Sequence, residues 1–539
     1  MAKEYVRDLR REFAGYNVAS LGQDCFAGVT VAAVALPLAL AFGVGSGADA
    51  ASGLISAIVA AFVIGGLSGA SFQISGPTGA MTAILIPLSV KFGMQGVLAA
   101  GAIAGVILLL AGLFRMGKLV YYLPAPVIAG FTSGIAIIIA LGQMENFFGV
   151  RSHGTETLER FWGIFANSFS PNYYAVFLGV AVVAMILLWP KRAAKWIPGS
   201  LAAVIAATTL AFVLRMPVDL VGAIPRTLIH ESRLTIRGLL STNLDATLVS
   251  AFSIAALGMI ESLLCGVAAG KMKGERLNAD RELIAQGIGN ILLPFLGGVP
   301  ATAAIARSSV AIKSGGRTRL TGIVQGVVLL LSMFLLAPFM SRIPLSALAG
   351  VLVVTALRMN DWHSIRYIFG KRFRWGIAKF VITMVITVVF DLTIAIAAGA
   401  TFAMVSFVSK VSELVVEVSE VDPDRLGGRI VPNRHTQVIY VTGPLFFGSI
   451  DAFESGVAKA DCEVLIFSMR ALPYVDTSGV QSLMTFCAQK REQGVTVYFA
   501  GVNPKVRQMF DRAGITAMVG ADAFFFNALD AIGMSAEAR

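Results

Sequence analysis

Up to about residue 410 the chain repeats one pattern, in which apolar runs are separated by brief polar or basic interruptions. A membrane-spanning helix needs roughly 20 mainly apolar residues. Fourteen segments approach or reach that length, near 26–45, 51–68, 76–91, 96–114, 124–142, 173–189, 198–214, 247–269, 283–296, 301–313, 319–338, 343–357, 375–390 and 392–409. The pattern predicts a polytopic α-helical membrane protein over residues 1–410. Beyond that point "VSELVVEVSEVDPDRLGGRIVPNRH" reads as a polar linker, placed at 411–434. "TQVIYVTG", "CEVLIFSM" and "VTVYFAGV" then have the Val, Ile and aromatic content of strands and alternate with helical stretches such as "SGVQSLMTFCAQKREQ". A small cytosolic α/β domain is expected over 435–539.

Two interruptions break the hydrophobic rule in corresponding ways. "SFQISGPTGAMTAIL" opens the third segment, and "GGVPATAAIARSSVAI" opens the tenth, seven segments later. Corresponding Gly/Pro-interrupted helices in two halves point to an inverted-repeat transporter with its site at mid-membrane. Proline is tolerated in the first helical turn, so the helices are expected to begin at Pro77–Thr78 and near Pro300–Ala301. Helix starts carry free N–H groups and a positive dipole end, so two facing starts form a cup for an anion. Thr78, Thr302 and the backbone amides around Gly79 and Ala303 are the expected donors. Arg307, about one and a half turns into the tenth helix, adds a full charge. The plainer reading, that Gly and Pro only kink helices and Thr only caps them, leaves Arg307 unexplained in lipid.

Glu261 lies in "FSIAALGMIESLLCGVAAG", otherwise free of charge. An intramembrane carboxylate is costly, which makes it a natural proton carrier. A bound anion and a bound proton offset each other's charge, so the two tend to bind together, which is symport. Two other roles stay open for Glu261: a structural partner of Arg307, or an oxygen ligand for Na⁺. Gln286 and Asn290 share a helix face and either bond between helices, the favoured reading, or line the cavity. Asp391, between two apolar runs, is expected at a membrane surface or as a helix cap.

Composition and charge refine this picture. Of 539 residues, 56% are hydrophobic and 14% charged, with a mean hydropathy of +0.77, so one soluble core cannot account for the balance. The formal charge of +11 is spread between apolar runs and forms no continuous patch, which argues against a nucleic-acid partner. With the N-terminus placed inside, the basic residues Arg115, Lys118, Lys191, Arg192, Lys195, Lys271, Lys273, Arg276, Arg317, Arg319, Arg366, Lys371, Arg372 and Arg374 fall in inner loops, the positive-inside pattern. An even number of spans returns the C-terminus to the cytoplasm. "MAKEYVRDLRREFAG" is basic and amphipathic with no cleavage site after a short apolar run, so the first span is expected to be retained.

Cys25, Cys265, Cys462 and Cys487 are far apart and lack CxxC spacing, so neither a disulfide framework nor a zinc site is indicated. No GxxxxGK[ST] supports ATP-driven pumping, and His153, His230, His363 and His435 lack ligand spacing. Neither an enzyme nor a cofactor is expected; H⁺ or Na⁺ would be co-transported with the anion.

Taken together, "AGVTVAAVALPLALAFGVGSG", "SGPTGAMT", "NADRELIAQGIGN" and "GGVPATAAIARSSVAIKSGGRT" resemble the SulP family of anion transporters, related to animal sulfate/anion exchangers and prestin. The resemblance runs through almost the whole chain and ends in a segment similar to a STAS domain. It implies fourteen spans in two inverted repeats of seven, at about 14–215 and 240–410, with a core domain moving against a gate domain in a homodimer of the inner membrane. Substrate would lie between the third and tenth helices, at Thr78, Gly79, Ala301, Thr302, Ala303 and Arg307, with Glu261 as the coupling acid. Leu38 after Pro37, "LPLALAFG" and "GPTGAMT" are closer to the cyanobacterial bicarbonate branch. "PATAAIAR" and Glu261 are closer to the proton-linked dicarboxylate and sulfate branch, whereas the sodium-linked bicarbonate branch has aspartate at the acid position. Bicarbonate, sulfate and C4-dicarboxylates therefore all stay open as substrates. An anion exchanger, a chloride channel and a non-transporting membrane sensor with a STAS output are the rival functions.

In "ALPYVDTSGVQSL" the hydroxyls of Thr477 and Ser478 are expected to cap a helix start. The resemblance implies that Ser478 matches the serine phosphorylated in related STAS domains, where a cytosolic regulator would act.

Overall fold

The computed structural model describes residues 2–118, 124–152, 157–166, 169–190, 192–193, 197–241, 244–390, 392–421 and 434–537. Asp391, His153, Lys191, Lys195 and half of the segment read as a linker lie outside these residues. The chain divides into two compact units, Met1–Ala400 and Thr401–Arg539.

The first unit is helical. After the amphipathic α1 (Ala2–Glu12) come α2 (Val18–Gly45), α3 (Ala50–Val59, continued by a π turn and a short α turn to Leu67), α4 (Gly79–Leu113), α5 (Ala125–Gly142), α6 (Tyr173–Leu188) and α7 (Gly199–Val213). They are followed by α8 (Leu244–Lys273), α9 (Ala279–Leu296), α10 (Ile305–Lys313), α11 (Leu320–Leu335), α12 (Leu345–Met359), α13 (Arg374–Val389) and α14 (Leu392–Val411). Helices therefore occupy the apolar segments of the sequence. Five are long and apolar enough to cross a membrane by themselves, and four shorter apolar helices accompany them among the described residues.

Two features explain how these helices come close to one another. Gly93 has φ 66 inside α4, a left-handed conformation that glycine adopts without a Cβ clash, and it breaks the run where the sequence separates the third and fourth segments. Beyond the break, a Cβ on Gly105 would stand 2.6 Å from the Ile291 nitrogen, and one on Gly287 would stand 2.5 Å from the Leu109 nitrogen. The missing side chains let α4 and α9 pack backbone to backbone, the small-residue device by which membrane helices gain contact when lipid offers no hydrophobic drive.

α1 is tied down by polar contacts. Glu12 accepts from Arg319 Nε at 3.0 Å, Nη2 at 2.8 Å and the Arg319 amide at 2.6 Å, Asp8 pairs with Arg281 at 2.7 Å, and Tyr5 Oη donates to the Gly66 carbonyl at 2.7 Å. Asp24 in the first turns of α2 accepts from the Arg317 and Thr318 amides at 2.6 and 3.1 Å and from the Thr318 and Thr321 hydroxyls at 2.6 and 2.8 Å. Arg317 and Arg319, read from sequence only as inner-loop charges, thus hold the entry to α11 against both N-terminal helices.

The second unit carries a five-stranded sheet in the order β3 (Val415–Glu420), β4 (Thr436–Thr442), β5 (Val464–Ser468), β6 (Thr496–Ala500) and β7 (Phe524–Phe525). β3 runs antiparallel to β4, and the remaining pairs are parallel. β4, β5 and β6 fall in the three stretches read as strands. β3 lies inside the segment read as a linker; its backbone is paired along its length with β4, from Val415 opposite Thr442 to Glu420 opposite Gln437.

Candidate functional site: two crossed chain breaks

The two interrupted segments meet. Ahead of α4 the chain forms β1 (Ser75–Gly76), and ahead of α10 it forms β2 (Thr302–Ala303). They pair antiparallel, with Ser75 opposite Ala303 and Gly76 opposite Thr302. This short ladder brings the starts of α4 and α10 together and satisfies backbone groups that lipid could not.

Thr78 is the N-cap of α4, accepting from the Met81 amide at 3.3 Å, so this helix starts where the sequence places it. The tenth helix does not. α10 begins at Ile305 with Ala304 as its N-cap residue, which leaves Ala301, Thr302 and Ala303 extended and puts Arg307 in the first turn. Long-range bonds hold this stretch out of the helix. The Ala301 amide and carbonyl form a paired contact with the Asn290 side chain at 2.8 and 2.9 Å, and the Ala303 amide donates to Ser262 Oγ at 3.3 Å. Ala303 therefore does not offer the free amide expected of it. The first-turn amides of Ile305, Ala306 and Arg307, which a helix cannot satisfy internally, take that place.

Side chains from α8, the cap of α4, β2 and α10 converge at the crossing. Glu261 of α8 accepts at Oε2 from Thr302 Oγ1 at 2.6 Å and from Thr78 Oγ1 at 2.9 Å, and the two hydroxyl oxygens are 3.2 Å apart. Arg307 is 1% exposed; its Nη2 donates to the Pro77 carbonyl at 2.8 Å, and its Nη1 is buried with no partner among the described residues. A Cβ on Gly76 would lie 2.4 Å from that Nη1, so only glycine lets the guanidinium rest on the β1 backbone. Glu261 gives its Oε2 to the two hydroxyls, and no ion pair between Glu261 and Arg307 is found among the described residues. Gly79 is buried at the first position of α4, where an added Cβ would meet Ile139 Cδ1 at 2.5 Å.

Sequence reasoning missed a second buried acid here. Glu282 of α9 accepts from Ser68 Oγ at 2.5 Å, the Gly69 amide at 3.0 Å and Gln286 Nε2 at 2.9 Å, while Gln286 Nε2 also reaches Ser75 Oγ at 3.0 Å. The available signal was its spacing, four residues before Gln286 and eight before Asn290, on the face that supports both crossed strands.

In the second unit, Ser478 is the second residue of α15 (Thr477–Glu492) and is half-buried. The cap is Asp476 rather than the expected hydroxyls: its Oδ1 accepts from the Gly479 amide at 2.7 Å and its Oδ2 from the Phe447 amide at 3.1 Å. All four cysteines are free thiols.

A helical membrane unit with two opposed chain breaks, an acid and a buried guanidinium between them, followed by a five-stranded α/β domain, defines a membrane transporter class rather than an enzyme. Residues 21–387 match the Sulfate permease family and residues 430–531 match the STAS domain, and the chain belongs to that family. It is 33% identical over 527 residues, covering 95% of this chain and 97% of the relative, to a putative sulfate transporter, YvdB, of Bacillus subtilis. Among solved structures, the transmembrane domain of the cyanobacterial bicarbonate transporter BicA is 30% identical with a TM-score of 0.65, covering 70% of this chain and 98% of that one. The murine Slc26a9 anion transporter shares the fold at 17% identity with a TM-score of 0.82, covering 95% of this chain and 91% of that one.

Proposed function

We propose that this protein is a secondary active, proton-coupled symporter of small anions of the bicarbonate, sulfate or C4-dicarboxylate class. The observation that carries the reading is the sharing of Thr78 and Thr302 by one carboxylate oxygen, 2.9 and 2.6 Å away. A hydroxyl has a single donor hydrogen. While Glu261 is ionised both hydrogens are spent on it, and its negative charge repels an anion. Protonation removes the charge and frees the two hydroxyls to turn toward substrate, beside the unpartnered Nη1 of Arg307. Proton and anion then enter and leave together. The same three oxygens stand at hydrogen-bonding separations of 2.6–3.2 Å, which suits a proton better than a coordinated Na⁺.

The proposed motion is elevator-like, with the unit holding the crossed strands moving as a core against a gate. The proposal includes fourteen crossings in two inverted repeats, both termini in the cytoplasm of an inner-membrane homodimer, and the boundaries 1–410, 411–434 and 435–539, with β3 contributing to the last domain from within the linker. Ser478 is proposed as a phosphorylation site, since phosphate at a helix start meets a favourable dipole.

The test is uptake of radiolabelled bicarbonate, sulfate and fumarate into proteoliposomes under imposed pH or sodium gradients. Accumulation is expected with an inward proton gradient. Glu261→Gln is expected to abolish that accumulation while substrate exchange persists. Driving by sodium alone would reject proton coupling, and large unitary currents would replace the symporter with a channel.

A further inference from the structure

A cavity of about 270 Å³ lies at the start of α12, lined by Glu145, Arg151, Ser152, Ala175, Asp219 and Ser346 among others, none of which belongs to the crossed-strand site. Ser346 is the second residue of this 15-residue helix and is 2% exposed, yet its Oγ has no hydrogen-bond partner among the described residues. Its neighbours are satisfied: the Leu345 amide donates to the Asp219 carbonyl at 2.9 Å, and the Ala347 and Leu348 amides reach the Pro344 carbonyl at 3.1 and 3.3 Å. The Ser346 amide has no such acceptor among the described backbone bonds. Two donors on one buried residue are thus left open at the positive end of a full helix dipole, where native proteins rarely leave a polar group unpaired.

The surrounding charges decide the sign of the ligand. Glu145 is neutralised by its ion pair with Arg160 and by the Ser152 hydroxyl. Arg151 and Asp219 are exposed and of opposite sign, so the fixed side-chain charge is close to balanced and the helix start tips it positive. A water occupies a share of about 30 Å³ of liquid, so the cavity has room for a small ion with several waters.

We propose that this cavity binds a small inorganic anion of halide size, at a site separate from the transport site, with the Ser346 hydroxyl and amide as its donors and Arg151 at its rim. α12 packs on α6, α5 and α2, so occupancy ties the start of α12 to that helix group.

The probe is radiolabelled chloride, titrated in a gluconate background against the full-length protein in lipid nanodiscs. Thr302→Val is present throughout to weaken the crossed-strand site. Saturable binding is expected to persist in that background. Adding Ser346→Ala is expected to raise Kd about tenfold, the loss of one hydrogen bond to a charged ligand, while Ser346→Thr restores affinity. Melting temperatures in gluconate, expected to be the same for all variants, separate lost binding from lost folding. Absence of saturable binding once Thr302 is replaced means that the cavity holds water only and overturns the proposal, as does a Kd unmoved by Ser346→Ala.

Discussion

Thr78 and Ser478 each stand at a helix start that follows an extended stretch, but the two starts satisfy their polar groups over very different distances in the chain. At α15 the work is local: Asp476 caps the amide of Gly479, three residues on, and reaches Phe447 in the same domain. At α4 the cap bond from Thr78 to Met81 is long, at 3.3 Å, and the threonine gives its hydrogen to Glu261, 183 positions away. The first start can form within its own domain. The second is complete only when α8 and the β2 strand arrive, so it is a meeting point whose chemistry depends on how the halves are disposed. A site required to change with conformation is better built in the second way.

Arg307→Ala should break this comparison hardest. It strips the Pro77 carbonyl of its donor, which costs about 1–3 kcal/mol for a buried polar group, and empties the space over Gly76. Substrate uptake is expected to fall to background, with reduced yield of folded protein. Arg307→Lys should recover folding but only part of the uptake, because an ammonium cannot reproduce the planar fork. Uptake above half of wild type in the alanine variant would remove Arg307 from the site.

Thr302→Val keeps the side-chain shape and deletes one of the two hydroxyls on Glu261. The half-saturation concentration for uptake should rise about tenfold, the counterpart of one lost hydrogen bond of about 1.4 kcal/mol, with little change in melting temperature. Asp476→Ala should do the opposite. Loss of the cap costs about 1 kcal/mol, lowering the melting temperature of the C-terminal domain by roughly 4–8 °C, and leaves uptake unchanged. Equal losses of uptake in the two variants would erase the distinction between a local and a shared helix start.

The same contrast explains what could be read from the residues alone. Apolar runs locate the helices because burial in lipid imposes its own length, and α5, α6 and α7 lie within a residue or two of the expected segments. The crossing of the third and tenth segments was legible because both carry Gly and Pro in otherwise apolar sequence. The true start of α10 was not. Pro300 resembles a first-turn residue, and nothing nearby announces that Asn290 and Ser262 hold Ala301–Ala303 extended. Glu282 had a local cue in its spacing to Gln286, but its partners Ser68 and Gly69 are 214 and 213 residues distant. β3 was missed despite a readable cue, since "VVEVSE" has the composition of an edge strand and was submerged in the charged stretch that follows.

Cys487 offers the finest measure of the difference. It lies on α15 with no exposed surface, and burial pushes its thiol up to about 12, so at pH 8 the folded domain presents a neutral, inaccessible sulfur. The thiolate is the reactive species, and both burial and protonation therefore protect it. Alkylation by a maleimide at pH 8 should proceed only through opening of the domain, at a rate set by the opening equilibrium. Asp476→Ala, which destabilises that domain by about 1 kcal/mol, should then speed Cys487 labelling about fivefold. Thr302→Val, whose lost bond lies in the other unit, should leave the rate where it was. Labelling followed by mass spectrometry of the Cys487 peptide reads both outcomes at once. A fast Cys487 reaction in the unmutated protein would mean that α15 opens without its cap being disturbed, and that this helix start is less self-sufficient than its local bonds imply.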